Sequence, residues 1–514
     1  PSQVPGKRSG HSFTIVGSTG YLFGGVPQAR PPGPTNEMFK LDMSNPGEFY
    51  WQKVKTPGRC PAARWHHAVA VRSPTTLVLF GGFRSSSIRF NDLWLLDTKG
   101  DKWSQPPPGI TEEAEDGVIT FKKSWKGCPD PRGSHSGNLI GNSLIVFGGY
   151  GGPGFSRRDF NDVHVLDMST WEWVEIEATG EQPEPRSGHQ VKRLQNKLKD
   201  TLYVCGGWNS VQQFNDLFIL DTKTWIWTKA ETGSGDTWGP PRWNHSAVGV
   251  FAVPHWKVFV FGGNSGNLAE GGNPQSAIHT HYDIPPLTFS RALCCVSKGD
   301  FLNDLCVLNT GSNTWTATTV VGELPEPRSD TQMIYDGTNS RLLLFGGWAN
   351  KWWGELHVCS VGEVVGPPYS LESVSPGSGA ITGATQTTVR HVGILSGSVS
   401  IRFACTKGFV EAEGAVVNDT EVSFLTPSFE KFGPMQEGCS RSTDVSISSS
   451  TSAIAAAFVE CRLSIGTRGL TNTKVNFQYF SVGDATNTVA FGPGLLRGIA
   501  AGVPVEFIIQ ARDK

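Results

Sequence analysis

No run of about 18 apolar residues occurs in the 514 residues, so no transmembrane helix is expected. Charge of either sign is not in excess. The 44 Lys and Arg against 46 Asp and Glu leave a formal charge of −2, which argues against a protein that holds nucleic acid by bulk positive charge. No signal peptide opens the chain, which starts Pro1-Ser2-Gln3-Val4. Three common catalytic motifs are missing: GxSxG, HExxH and GxxxxGK[ST]. The ten cysteines include no CxxC and outline no disulfide framework; Cys205, Cys306 and Cys359 fall in apolar runs, where buried free thiols are common. A reducing, cytoplasmic compartment is the expectation. With no initiator Met and with an end at Ala511-Arg512-Asp513-Lys514, the chain reads as a segment of a longer polypeptide.

What the sequence does have is glycine, 61 residues of it, and 17 tryptophans. Six short apolar runs each end in Gly-Gly: Tyr21–Gly25, Leu77–Gly82, Leu144–Gly149, Leu202–Gly207, Val258–Gly263 and Leu342–Gly347. Before each lies Arg-x-x-His: Arg8/His11, Arg64/His67, Arg132/His135, Arg186/His189 and Arg242/His245, with Arg328 and Thr331 in the sixth. After it an Asn-Asp pair opens another apolar run at Asn91, Asn161, Asn215 and Asn303. A Trp follows twelve positions later at Trp103, Trp173, Trp227 and Trp315, with Trp51 as a looser first copy. Apolar runs this short are strands rather than helices. Each unit therefore reads as four strands, a to d, with a after Arg-x-x-His, b ending at Gly-Gly, c starting at Asn-Asp and d at the Trp. Gly-Gly allows positive φ or close backbone approach, and the Trp side chains provide apolar area for packing one unit on the next.

These repeated elements resemble the kelch family, whose units of about fifty residues are blades of a β-propeller. The likeness covers residues 8–361 and implies an all-β fold with six blades closed into a ring. The sixth unit has strand c near Glu355–Ser360 but no Trp strand after it. The expectation is that its outer strand comes from upstream of Pro1; an ordered strand over 362–366 would contradict this.

Alternating strand directions put the b–c and d–a loops on one face. Two long insertions build on that face, Ser104–Pro131 and Asn264–Phe301. Its candidate partner-binding residues are Arg84, Arg89, Arg157, Arg158, Trp208, Trp348, Lys351, Trp352 and Trp353, residue types enriched at interface hot spots apart from the lysine. A structural role for some of these Trp, capping the barrel mouth, fits the sequence as well. The five repeat histidines suggest a metal ring, but convergence within about 2.1 Å of one ion is harder to meet than a bond from each His to neighbouring backbone. The blade-five insertion carries His279, His281, Cys294 and Cys295, a zinc-type donor set without CxxC spacing. No catalytic, cofactor or metal site is assigned. Galactose oxidase also joins kelch-like blades to Ig-like modules, but its copper chemistry needs His and Tyr together, and no such set stands out among eight Tyr.

After Pro367-Pro368-Tyr369 tryptophan disappears, and alternating strands with Pro/Gly turns suggest a β-sandwich. Ser375-Pro376-x-x-Gly379, Thr426-Pro427 and Phe477-x-Tyr479-Phe480 make 367–482 similar to IPT/TIG immunoglobulin-like domains. Residues 483–514, with Gly492-Pro493-Gly494-Leu495 and Pro504-x-x-Phe507-x-Ile509-x-x-Arg512-Asp513, resemble the opening strands of a filamin-type repeat. The domain expectation is thus propeller 1–366, Ig-type sandwich 367–482 and an incomplete filamin-like repeat. What the resemblances imply is a non-enzymatic scaffold binding protein partners in a cytoskeletal assembly, by analogy a ciliary or flagellar axoneme, with no nucleic acid and no membrane. A ubiquitin-ligase substrate adaptor and a kelch-type copper oxidase are the alternatives.

Overall fold

The computed structural model describes residues 2–45, 47–106, 112–115, 118–121, 127–153, 156–195, 200–231, 239–266, 301–318, 320, 322–393, 398–405, 407–432, 457–465, 469–471, 473–480, 489–491 and 508–510. The chain forms two compact units: Pro1–Phe251 with His255–Gly362, and Ala252–Pro254 with Glu363–Lys514.

The first unit is a six-bladed propeller; strands a-b-c-d lie antiparallel in that order in the first five blades, and a-b-c in the sixth. Blade one is Ser12–Val16, Thr19–Phe23, Met38–Asp42 and Tyr50–Val54. Blade two is Ala68–Ser73, Thr76–Phe83, Arg89–Asp97 and Lys102–Ser104. Blade three is Ser136–Ile140, Ser143–Gly151, Arg158–Asp167 and Glu172–Ile176. Blade four is Gln190–Gln195, Asp200–Cys205, Leu217–Asp221 and Ile226–Lys229. Blade five is Ser246–Ala252, His255–Asn264, Phe301–Asn309 and Thr314–Ala317. Blade six has three strands, Gln332–Asp336, Arg341–Phe345 and Leu356–Ser360. Residues 362–365, in the stretch that a continuing outer strand would use, form one turn of helix instead.

The repeated residues have distinct jobs in this frame. Each repeat Arg is buried to within 1 % of full burial and latches its own blade. Arg64 donates two hydrogen bonds to Asp92 (2.6 and 2.8 Å) and one to the Gly81 carbonyl (2.9 Å), and its guanidinium lies 4.0 Å from the Phe90 ring centre. The same fork joins Arg132 to Asp162, Arg186 to Asp216 and Arg242 to Asp304. Every one of the six also donates to the carbonyl of the first glycine of its Gly-Gly pair. A planar, permanently charged group with five donors suits this buried task; a lysine could not fork. The Asp of Asn-Asp is therefore the counter-ion, and this is why it stands at the start of strand c.

Blades pack through aromatic sandwiches. The Phe before Gly-Gly sits between the His and the Trp of the next blade: Phe23 between His67 and Trp103 (5.5 and 5.1 Å between ring centres), Phe80 between His135 and Trp173 (5.4 and 5.2 Å) and Phe147 between His189 and Trp227 (5.1 and 5.1 Å). Phe345 of blade six sits in the same way between His11 and Trp51 of blade one (5.7 and 5.2 Å), so the ring closes with ordinary blade contacts. The closure also explains a glycine: a Cβ on Gly346, whose φ is +70°, would lie 2.6 Å from the Arg8 carbonyl oxygen.

The second unit has an eight-strand path that includes Tyr369–Ser375, Gln386–Gly393, Val399–Cys405, the long Gly408–Asn418, Glu421–Leu425, Ala457–Ile465 and Val475–Phe480. Its core gathers Tyr369, Val389, Ile401, Phe403, Val422, Phe429, Leu463 and Phe477. Val489–Phe491 pairs antiparallel with Ile508–Gln510; the rest of 483–514 lies outside the described residues.

Replacing Arg64 with Ala leaves Asp92, itself buried, without its counter-charge. This should cost about 3–5 kcal/mol in urea unfolding. Arg8→Ala should cost less, because its partner Glu37 is about a third exposed and also pairs with Lys53. Equal losses in the two variants would contradict the latch.

Candidate functional site at the hub and loop face

Two residues after each latch arginine the chain takes a left-handed turn. The six residues are Gly10, His66, Ser134, Gly188, Asn244 and Asp330, with φ between +50° and +63°. Their backbone groups form a closed circle. His66 N donates to Gly10 O (2.8 Å), Ser134 to His66 (2.9 Å), Gly188 to Ser134 (3.0 Å), Asn244 to Gly188 (2.8 Å), Asp330 to Asn244 (3.0 Å) and Gly10 to Asp330 (3.0 Å). This hub ring ties all six blades where strand a begins.

Its side chains are also joined. The His66 ring bonds Ser134 Oγ through Nδ1 (2.8 Å) and Asp330 Oδ1 through Nε2 (2.7 Å), and Asn244 Nδ2 donates to the same oxygen (2.7 Å). Ser, His and Asp here resemble a hydrolase triad in spacing. Acyl transfer also needs amide donors for an oxyanion, and the ring's own amides are all spent on ring carbonyls. The cluster buttons the ring.

Behind the ring His11, His67, His135, His189 and His245 are buried. Burial, with the nearby latch arginine adding to it, pushes His11, His135 and His189 down to about 3 and the other two well below the usual range. Backbone groups of Phe345, Phe80 and Phe147 face His11, His135 and His189, and His67 Nε2 meets Ser12 Oγ at 2.9 Å. These are neutral packing groups. Among the described residues the ring nitrogens of His11, His135 and His189 have no hydrogen-bond partner, His67 bonds a side-chain hydroxyl and His245 meets the Cys205 thiol, so the expected bond from each His to backbone is not what holds them.

The carboxylate of Asp162 in blade three lies near His164 and Glu175, three potential metal ligands within 4.8 Å of one another. Burial pushes the Asp162 carboxyl up, but the bonds and charge of Arg132 and His164 outweigh this and hold it well below the usual carboxylate range. Both its oxygens are occupied by the latch, so the group works as a counter-ion. His279, His281, Cys294 and Cys295 lie outside the described residues.

The b–c and d–a loops are laced together on one face. The first residue past Gly-Gly pairs with the residue after the latch Arg: Phe83 with Trp65, Trp208 with Ser187, Asn264 with Trp243 and Trp348 with Ser329. Of the sequence candidates, Arg84, Arg157, Arg158 and Lys351 are exposed. Trp208, Trp348, Trp352 and Trp353 are half-buried; Trp208 packs on Trp243 (5.5 Å), Trp348 on Phe301 (5.4 Å), and Trp353 is flanked by Arg328 (4.5 Å) and Lys351 (3.9 Å). Arg89 differs: it is 4 % exposed and bonds the Ser86 carbonyl at 2.9 Å, so it shapes its loop from inside. The sequence reading overlooked Trp65 and Trp243, which occupy the variable place inside Arg-x-x-His.

Four-stranded blades, Gly-Gly at the inner strand ends and the arginine latch together define a Kelch-repeat propeller. Residues 10–263 match the model of the KLHDC2/KLHL20/DRC7 Kelch-repeats domain. The chain is similar to the dynein alpha chain of the flagellar outer arm of Chlamydomonas reinhardtii, with 30 % identity over 529 residues covering 99 % of this chain and 10 % of that one. It is 28 % identical to Kelch domain-containing protein 3 of Bos taurus over 305 residues, 57 % of this chain and 71 % of that one. It is 32 % identical to host cell factor of Drosophila melanogaster over 251 residues, 42 % of this chain and 15 % of that one. The chain thus spans only about a tenth of the dynein relative's length.

The buried histidines set a pH response. Their folded pKa lies below the unfolded value of about 6.5, so between about 6.5 and 3 the unfolded chain binds protons that the folded one refuses. Stability should fall as pH falls through that window, by about 1.4 kcal/mol per pH unit for each such His. His189→Asn should flatten the dependence of the urea midpoint on pH; an unchanged slope would count against a neutral hub.

Proposed function

We propose that the chain is a non-enzymatic scaffold segment that docks protein partners through the loop face of its propeller, within a cytoskeletal assembly of axonemal type. The observation that carries this reading is the face itself: exposed Arg84, Arg157, Arg158 and Lys351 are interspersed with half-buried Trp208, Trp348, Trp352 and Trp353 on a rigid frame. Cationic and aromatic groups held by a fixed scaffold suit an acidic or aromatic partner segment. Similarity along 99 % of this chain to a flagellar outer-arm dynein chain supports the axonemal setting. That similarity runs through the second unit too, which fits an arm of IPT/TIG type over 367–482 followed by the opening of a filamin-type repeat.

Charge reversal of the four exposed cations to Glu should abolish recovery of partners from a salt extract of axonemes. Trp208→Ala or Trp352→Ala should weaken capture by about tenfold, the scale of a hot-spot residue. Undiminished capture by the folded charge-reversal variant would refute the assignment of this face.

A further inference from the structure

Beneath the hub ring the six inner strands line an open channel of about 470 Å³. That volume is in the range of small-molecule sites. Its lining is polar near the axis, with Ser136, Asn138, Gln190, Gln332 and Thr14 among the contributors. It includes one formally charged side chain at neutral pH, Lys192, in strand a of blade four. Three residues past the repeat His, the other blades have Thr14, Ala70, Asn138, Val248 and Ile334, so the lysine breaks the sixfold pattern.

Among the described residues the Lys192 amine has neither a hydrogen bond nor an ion pair; the titratable groups that face it are the buried Cys205 thiol and His245. Asp330, the acid of the hub ring, is committed to His66 and Asn244. Val191 packs into the blade core on the opposite side of the strand, consistent with the strand's alternation. Removing an unpaired ammonium from bulk water is costly unless an opposite charge joins it. A cationic ligand would be repelled here, and an apolar one would leave the charge unmatched.

We propose that the central channel is a binding site for a small oxyanion, a phosphate or a carboxylate, with Lys192 as its charged anchor. Gln190 and Gln332 have amide donors that can complete its coordination, and the neutral histidines bring no competing charge. Burial pushes the Lys192 amine down to about 8, which leaves it mainly cationic at neutral pH.

The test is thermal unfolding at pH 7 in inorganic phosphate, in acetate and in chloride at equal ionic strength, for the wild-type chain, Lys192→Met and the exposed-surface control Lys223→Met. Phosphate stabilises proteins non-specifically, and the Met variant measures that part. Wild type and Lys223→Met should gain several degrees more than Lys192→Met in phosphate or in acetate, and the arm showing the gain identifies the anion class. In chloride Lys192→Met should melt no lower than wild type, since it loses an unmatched charge. Acetic anhydride should label Lys192 more slowly in the effective anion while Lys223 is unaffected. Equal gains in wild type and Lys192→Met, or anion-independent labelling of Lys192, would overturn the proposal.

Discussion

Six left-handed turns meet near the propeller axis, and each gives its amide to the carbonyl of its neighbour until the circle closes on itself. A closed loop of six hydrogen bonds cannot lose one member without opening a gap between two blades. Four of the turns use residues with a Cβ, at a cost of about 1 kcal/mol or more each relative to glycine. The ring persists because its geometry is over-determined by the latch arginine two residues earlier and the packed histidine, or Thr331 in blade six, one residue later. Strand a must then start at one height in every blade, and the faces, the channel and the loop positions follow from that.

The latch explains why Arg, Gly-Gly and Asn-Asp recur together though they lie far apart in sequence. Arginine needs a carboxylate because it is buried, and it needs the glycine carbonyl turned toward it; positive φ at the glycines achieves the turn. The three motif elements are one buried object seen at three sequence positions. Each blade is thereby held shut inside by charge-assisted bonds, while neighbouring blades are held by Phe, His and Trp contacts that need only shape. Charged latches leave no room for register error, and apolar sandwiches tolerate exchange, as Cys205 shows by taking the place of Phe against His245 at 3.7 Å.

Much of this was legible in the chain. Gly-Gly at strand ends, the Trp spacing and the short apolar runs gave the blades, since each reports a local requirement. The hub ring was missed because its residues share a backbone state rather than a side-chain type. A trace was present: Gly, His, Ser, Gly, Asn and Asp are nearly all tolerant of positive φ, and they precede the repeat His in five blades and Thr331 in the sixth. Arg89 looked like a loop cation and proved buried, because the sequence does not reveal which way a b–c loop folds back. Nothing in the sequence pattern singled out Lys192. In a propeller the innermost strand lies at the axis, and Lys192 lines the channel there while Arg193 beside it bonds Asp200 and the Leu139 carbonyl.

Blade six departs from the pattern at the rim and keeps it at the hub. Its latch acid, Glu355, lies 3.9 Å from Arg328 and is nearly half exposed, and burial pushes that guanidinium down to about 10. Thr331 replaces the histidine, bonding the Phe345 carbonyl at 2.9 Å, and Trp353 stacks on Arg328 at 4.5 Å where other blades use Phe. The ring nevertheless closes through Asp330 and through the contact of Gly346 with Arg8. Closure is therefore an affair of the axis. A frame secured at its centre allows the peripheral loops to differ in length, charge and aromatic content from blade to blade, and this freedom lets one face carry Arg157 and Arg158 on one side and Trp352 and Trp353 on another without endangering the fold.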